Sequence, residues 1–293
     1  MPPGGNATPR NRSARIQRVL IGLFVANVAV VIAKLTIGLS LDSLAVLGDS
    51  VHASIDAMNN IVALIVIRIA TRAPDEDHPY GHTKFETLGA LAIVVFLSIS
   101  GFELVRGAVW RLFSGVEPLN ATPLQLAVLL GTLIINTTVA TYEARRGREL
   151  DSELLLADAA HTKADVAITG GVLLAVILSR FGLPWADPLV ALVVAGAIVV
   201  IAYGIIARSV PILVDQHVMP ADEIRTVVEG IHGIVRAYDI RSRGAPDKLF
   251  AELTIAVDRN ATVDSAHKLA DEVESRLHRD LGFHETIVHI EPC

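Results

Sequence analysis

Six windows of this sequence, 16–39, 43–69, 87–102, 121–142, 154–179 and 189–207, are long apolar runs. An α-helix rises ~1.5 Å per residue, so roughly 20 residues cross a ~30 Å hydrocarbon core. Apolar residues make up 52% of the 293-residue chain, and its mean hydropathy is +0.51. That is more apolar surface than a soluble domain of this size uses. The windows therefore predict a membrane all-α bundle of six transmembrane helices. The third window reaches full span length if Lys84 and Glu86 lie at one interface and Arg106 and Arg111 at the other.

Loop charges set the expected orientation, because short cytoplasmic loops carry an excess of Lys and Arg. Arg10, Arg12, Arg15 and Arg18 lie before or at the start of the first window. Arg68, Arg72 and Lys84 flank the second connection, and Arg145, Arg146 and Arg148 the fourth. The opposite side carries mainly Arg111 and Arg180. Both termini are thus expected in the cytoplasm, with the chain multi-pass in the inner (plasma) membrane. The first window is too long for a signal-peptide core and lacks a small-residue cleavage site, so it is expected to be retained. With Cys293 the sole cysteine, neither an intramolecular disulfide nor a thiolate-rich metal site is expected.

Beyond 207 the long apolar runs stop, and helix and strand periods alternate. Residues 221–231 read as a helix, 235–241 and 249–258 as strands, 265–278 as an amphipathic helix and 286–291 as a strand. The α-β-β-α-β order predicts a small C-terminal α+β domain of two layers. Residues 214–293 hold 15 acidic and 9 basic side chains. Subtracted from totals of 31 and 25, these leave 16 and 16 in the rest, so the whole acidic excess is C-terminal. That balance argues against a nucleic-acid partner and suits attraction of cations. Residues 1–15 read as a disordered basic arm against anionic lipid. The expected division is 1–15, 16–213 and 214–293.

Ionisable groups inside apolar helices are costly and call for a reason. The second window contains Asp49-Ser-Val-His52-Ala-Ser-Ile-Asp56, and the fifth contains Asp158-Ala-Ala-His161-Thr-Lys-Ala-Asp165. Both are D-x2-H-x3-D, and steps of three and four residues put each set on one helix face. The two helices run in opposite directions. His52 and His161 each lie about ten residues, roughly 15 Å, from their own helix start, so the pairs meet at one depth. Two imidazoles and two carboxylates there form an N2O2 set suited to zinc in ligand type and number. Interhelical hydrogen bonding is the plainer reading of one such His, but matched motifs at matched depth favour a metal. Asp49 and Asp158 read as supports for the ligands or as helix-end groups. Asn59, Asn60 and Asn136 read as packing hydrogen bonds.

These stretches resemble the cation diffusion facilitator (cation efflux) family. Residues 43–56 and 75–86 resemble its second-helix and following-loop signatures, and 157–165 its fifth-helix signature; the likeness covers about residues 15 to 292. It implies a bacterial-type zinc or divalent-metal proton antiporter, a metallochaperone-like cytosolic domain and a homodimer. The transport site would be His52, Asp56, His161 and Asp165.

Asp75, His78 and His82 lie in the second connection, where chemistry alone allows zinc binding or a cap for the next helix. The resemblance implies a peripheral zinc site there, and a charge pair of Lys84 with Asp215 that locks the dimer. In the C-terminal domain it places Tyr238 and Thr254 where relatives carry histidines. His267, His289 and Glu291 match the remaining metal-site positions. A phenol and a hydroxyl are poor zinc ligands, so one weak metal or none is expected there. His217, His232, His278 and His284 read as surface residues.

The expected function is proton-coupled efflux of a divalent transition metal, zinc, by alternating access at the His2Asp2 site. Imidazoles bind metal only when unprotonated, so protons entering from outside displace it. Gly170 and Gly171 would permit bending or close packing. Zn2+ is then substrate, with no organic cofactor. Rival readings are cobalt, nickel, cadmium, iron or manganese as cargo, a metal-sensing membrane protein, and an intramembrane metalloenzyme. The last is disfavoured because no H-E-x-x-H pairing occurs.

Overall fold

The computed structural model describes residues 9–40, 44–115, 122–245 and 248–293, without the side chains at 9–11, 34, 37, 38, 40, 44–53, 55 and 56. The chain forms two units, Met1–Ser209 and Val210–Cys293. Each of the six apolar windows is carried by one helix: α1 (Pro9–Ser40), α2 (Leu44–Ala70), α3 (Lys84–Ser114), α4 (Pro123–Glu149), α5 (Glu153–Arg180) and α6 (Ala186–Leu213). Among the described residues, five stretches are long and apolar enough to cross a membrane: Arg12–Ala33, Lys84–Ser114, Pro123–Glu149, Glu153–Arg180 and Ala186–Leu213. In α2 the described residues give a shorter apolar stretch, Ala57–Ala70.

At α1 and α3 the helix ends are set by charges. Helix α1 already starts at Pro9, so 9–15 is helical rather than part of a disordered arm. Proline suits a first helical position, where its missing N–H costs nothing. Arg12 then fastens this first turn by donating 2.7 Å hydrogen bonds to the carbonyls of Leu150 and Asp151. The expected arm at 1–8 lies outside the described residues. Helix α3 continues to Ser114 because the charges in its last turns are paired. Arg106 binds Glu103 at 2.5 Å, and Arg111 pairs with Asp187 at the start of α6.

Two apolar clusters hold the bundle. One joins Ile16, Leu20 and Leu23 of α1 to Ala63 and Ile67 of α2 and to Leu154 and Leu155 of α5. The other joins Ala90, Val94 and Leu97 of α3 to Ala157 and Ala164 of α5 and to Val194, Ile198 and Ile205 of α6. Helix α5 belongs to both, so its polar face is held between packed neighbours. Large apolar side chains such as Val25, Phe102, Val199 and Tyr203 are exposed outside these clusters, which in hydrocarbon carries no penalty. A Thr122–Gln125 capping box with Pro123 opens α4, and the Ser152 hydroxyl accepts from the Leu155 N–H to open α5.

The C-terminal unit contains α7 (Ala221–Glu229), β1 (Ile234–Ala245), β2 (Lys248–Val257), α8 (Val263–Leu281) and β3 (Glu285–Pro292). Strand β2 is central, antiparallel to β1 and parallel to β3. A parallel pair needs a crossover, and α8 supplies it. Its buried residues Ala266, Ala270, Val273 and Leu277 recur at helical spacing, and Ala266, Val273 and Leu277 join the core with Leu253, Ile255 and Val257. Gly282, at φ 74°, ends α8 in the left-handed conformation that glycine adopts freely.

Glu86 is the polar knot of the membrane unit. Buried, it accepts from Ser152 Oγ at 2.5 Å and pairs with Arg12 at 3.3 Å, tying α1, α3 and α5 together. Glu86→Ala is expected to cost about 2 kcal/mol by removing the buried carboxylate that Arg12 and Ser152 share. The loss would be read as a lower unfolding midpoint of the detergent-solubilised protein, with Glu86→Gln falling between.

Candidate metal centres

The connection between α2 and α3 is folded around Asp75. Its Oδ1 accepts the His78 N–H at 2.8 Å, and Gly81, at φ 88°, turns the chain so that His82 returns to the same carboxylate. His78 Nδ1 and His82 Nε2 each lie 3.3 Å from an Asp75 oxygen. Ligand atoms at ~2.0–2.2 Å from a tetrahedral zinc are themselves ~3.4 Å apart, so these contacts match two edges of such a site. All three ligand atoms fall within 4.8 Å of one another. His82 is 4% exposed, and its Nδ1 has no partner among the described residues. The rings of His78 and His82 lie 4.4 Å apart, and His82 stacks on Phe85. Helix α3 is entered through Thr83 with no side-chain cap, so neither imidazole serves as one. The N–H of His78 is the main cause holding the Asp75 carboxyl below its ordinary value; desolvation opposes it and the charge of His82 assists. A lowered value means that Asp75 steadies this turn above the ordinary carboxyl range and stops doing so only as pH falls through the lowered one.

Inside the bundle, His161 Nε2 and Asp165 Oδ2 lie 3.8 Å apart on α5, and both side chains are 12% exposed. They line a cavity with Asp158 and Thr162 of α5, Asn27 of α1, Asn59 and Asn60 of α2, and Asn136 and Glu143 of α4. Asn59, Asn60 and Asn136, expected as packing groups, line the space beside His161 together with Asn27. Asp158 is buried in the same wall, at 6% exposure. The side chains of His52, Asp56 and Asp49 lie outside the described residues.

In the C-terminal unit, strand register sets Tyr238 opposite Thr254, and Thr254 opposite His289, in one row across the sheet. The Tyr238 hydroxyl donates to Glu291, and His289 Nε2 lies 3.6 Å from the other Glu291 oxygen. Arg236 covers the Tyr238 ring at 4.6 Å. The bond to Glu291 pushes the Tyr238 phenol above its ordinary value. His267 is paired elsewhere, 3.8 Å from Asp271 on its own helix. Asp215 lies 3.9 Å from Arg243 within the C-terminal unit, while Lys84 opens α3 in the other. His278 is engaged, with Nδ1 2.7 Å from the Phe283 carbonyl.

The cation efflux transmembrane domain matches residues 20–214, and the cytoplasmic domain of cation efflux proteins matches 220–293. The chain belongs to the cation efflux family. The cation-efflux pump FieF of Serratia proteamaculans is 31% identical over 86% of this chain and 84% of its own. The manganese efflux system protein MneS of Bacillus subtilis is 28% identical over 88% and 89%. This cation efflux protein is therefore a multi-pass membrane transporter of divalent metals, not an enzyme, with a dimerisation-type C-terminal domain.

Sequence reading of this transporter missed Glu143. The expected fourth window stopped at 142, one residue short of Glu143. A glutamate at i+3 from Ala140 and i−4 from Gly147, a stripe of small residues, was the available signal.

Two outcomes are expected. Wild-type protein in detergent binds one more zinc per chain than the His78→Ala, His82→Ala double variant by equilibrium dialysis, while turnover of that variant stays largely intact. In ultraviolet titration, one tyrosine titrates above ~10, the free phenol value, and Glu291→Gln returns it there.

Proposed function

We propose that this transporter exports zinc from the cytoplasm in exchange for protons, by alternating access at His52, Asp56, His161 and Asp165. The cavity shared by α2 and α5 is the observation that carries this reading. Asn59 and Asn60 of α2 line it together with His161 and Asp165 of α5. By helical period, positions 52 and 56 share a face with 59 and 60. The repeated D-x2-H-x3-D motifs then supply opposite halves of one N2O2 site. In the proposed orientation both termini are cytoplasmic and the protein is a homodimer in the inner membrane.

The residues divide the work simply. The carboxylates supply negative charge that makes a divalent cation stable in a low-dielectric space, and the imidazoles supply the nitrogen donors that favour zinc. Protonation of those imidazoles from the outer side ends coordination and releases the metal. Asp75, His78 and His82 hold a peripheral zinc outside this path. The C-terminal row of Tyr238, Thr254, His289 and Glu291 is proposed to hold one weak metal at most, since Glu291 already has a donor.

A second reading has its own support. Asn27, Asn59, Asn60, Asn136 and Glu143 give the cavity many oxygen donors, which suit manganese, and one relative is named a manganese efflux protein.

Transport in inverted vesicles with a pH-sensitive dye tests both. Asp165→Ala and His161→Ala are expected to reduce zinc-driven proton flux by about a hundredfold, since a missing ligand cannot be replaced by a neighbour. Undiminished flux would refute the site. Manganese flux exceeding zinc flux in the wild type would select the second reading.

A further inference from the structure

We propose that the outward face of the α4–α5 pair binds one anionic phospholipid, its phosphate held between Arg148 and Lys163 and an acyl chain laid along the apolar groove beyond them.

Lys163 lies within the second ligand motif but has no part in it. It follows the start of α5 at Glu153 by ten residues, about 15 Å. It stands two residues, about 200° of rotation, from His161, and so faces away from the cavity that His161 and Asp165 line. Its side chain is exposed and has no ion pair or hydrogen bond among the described residues. A cation at that depth in a span is costly unless an anion or water meets it. Three arginines near the same end of the bundle are engaged, Arg145 and Arg146 with Glu149 and Arg12 with Glu86. Arg148 is exposed and, like Lys163, has no such partner among the described residues.

The two cations share one side of the helix pair. Gly147 of α4 abuts Leu156 of α5, since a Cβ there would come within 2.9 Å of that side chain. Lys163 is seven residues, about two turns, beyond Leu156 on the same face. Arg148 follows Gly147 by one step of about 100°, on the side away from Glu143 and Asn136 of the cavity wall. Helical side chains incline toward the N-terminus of their own helix, and these two helices are antiparallel. Arg148 therefore leans into the span while Lys163 leans back toward the α4–α5 connection. An anion between them relieves both the desolvation of Lys163 and the repulsion of like charges.

The continuation of the groove selects the class of anion. Farther along this face of α5 come Gly170, where a Cβ would meet nothing within 4 Å, and Leu174, 48% exposed. Counted from the Gly147–Leu156 contact, Ile134 of α4 stands level with Gly170, and Leu130 with Leu174. These two are 66% and 50% exposed. Helix α4 packs chiefly against α5, so this strip has no helix over it among the described residues. A pair of cations with an apolar trough leading from it fits a phosphate carrying an acyl chain. A soluble phosphate uses only the cations, and a zwitterionic headgroup brings a cation of its own. The lipid belongs to the leaflet at the α4–α5 connection, where unpaired Lys and Arg attract anionic headgroups.

Native mass spectrometry of the full chain in detergent, titrated with dioleoyl phosphatidylglycerol or dioleoyl phosphatidylcholine, tests this site. Wild type is expected to prefer the first phosphatidylglycerol by about twentyfold, Lys163→Leu by about fivefold, and Lys163→Leu with Arg148→Gln by about onefold, each charge near lipid contributing about fivefold. Lys163→Arg keeps the wild-type preference. Gly170→Phe fills the trough and is expected to weaken both lipids by about threefold or more while the preference stays. Equal affinities in the wild type overturn the proposal, because Lys163 then reaches only water. So does a preference that survives in the double variant. Displacement of the lipid by inorganic phosphate, with Gly170→Phe like wild type, marks a plain anion site and also overturns it. Loss of a dimer in the double variant with lipid binding unchanged gives this face to a second copy instead. Should the double variant fail to insert, Lys163→Leu decides: a reduced preference supports the site, and an unchanged one refutes it.

Discussion

An ionised side chain in hydrocarbon is unstable by several kcal/mol unless something of opposite charge or strong hydrogen-bonding capacity meets it. Each polar group placed inside this bundle is an answer to that cost. Glu86 is met by Arg12 and the Ser152 hydroxyl at the end of the bundle, Asp187 is met by Arg111 at the other end of α3, and Glu143 accepts from the Thr162 hydroxyl. The first two are closed arrangements that fasten helices. The third lines a cavity with His161, Asp158 and Asp165.

Helix α5 is central to both packing and chemistry. Its apolar positions join the two clusters that hold α1, α2, α3 and α6, and its remaining face carries Asp158, His161, Thr162 and Asp165. A helix wedged on several sides presents its ligands at a reproducible depth, while the largely exposed α4 contributes a narrow stripe with Glu143 in it. The C-terminal unit solves a different problem. Its sheet sets Tyr238, Thr254 and His289 in one row, and the Tyr238 phenol occupies the Glu291 carboxylate that a bound metal would otherwise use. A direct hydrogen bond between β1 and β3 thus holds together what a bridging metal could.

Much was legible in the sequence because the responsible signals are local. The apolar windows gave the helices, since backbone hydrogen bonds left open in hydrocarbon force helix formation. The alternation after 207 gave the α-β-β-α-β order. The repeated motif singled out His161 and Asp165, and the turn residues around Gly81 explain why Asp75, His78 and His82 converge. Boundaries were less legible where charges are paired at a distance: Arg12 with Glu86, and Arg111 with Asp187, lengthen α1 and α3 through partners far away in the chain.

The sequence by itself determined a bundle of apolar helices, a small acidic α+β domain and the residue types able to bind a divalent metal, because hydrophobic period and ligand spacing act within one element. Only the tertiary structure decided that Asn27, Asn59, Asn60 and Asn136 share a cavity with His161, that Glu143 stands in its wall, and that Tyr238 engages Glu291. Those relations join different helices or strands. They depend on how each element is rotated against its neighbours, which is set by packing of the whole unit and leaves no periodic trace in any one segment.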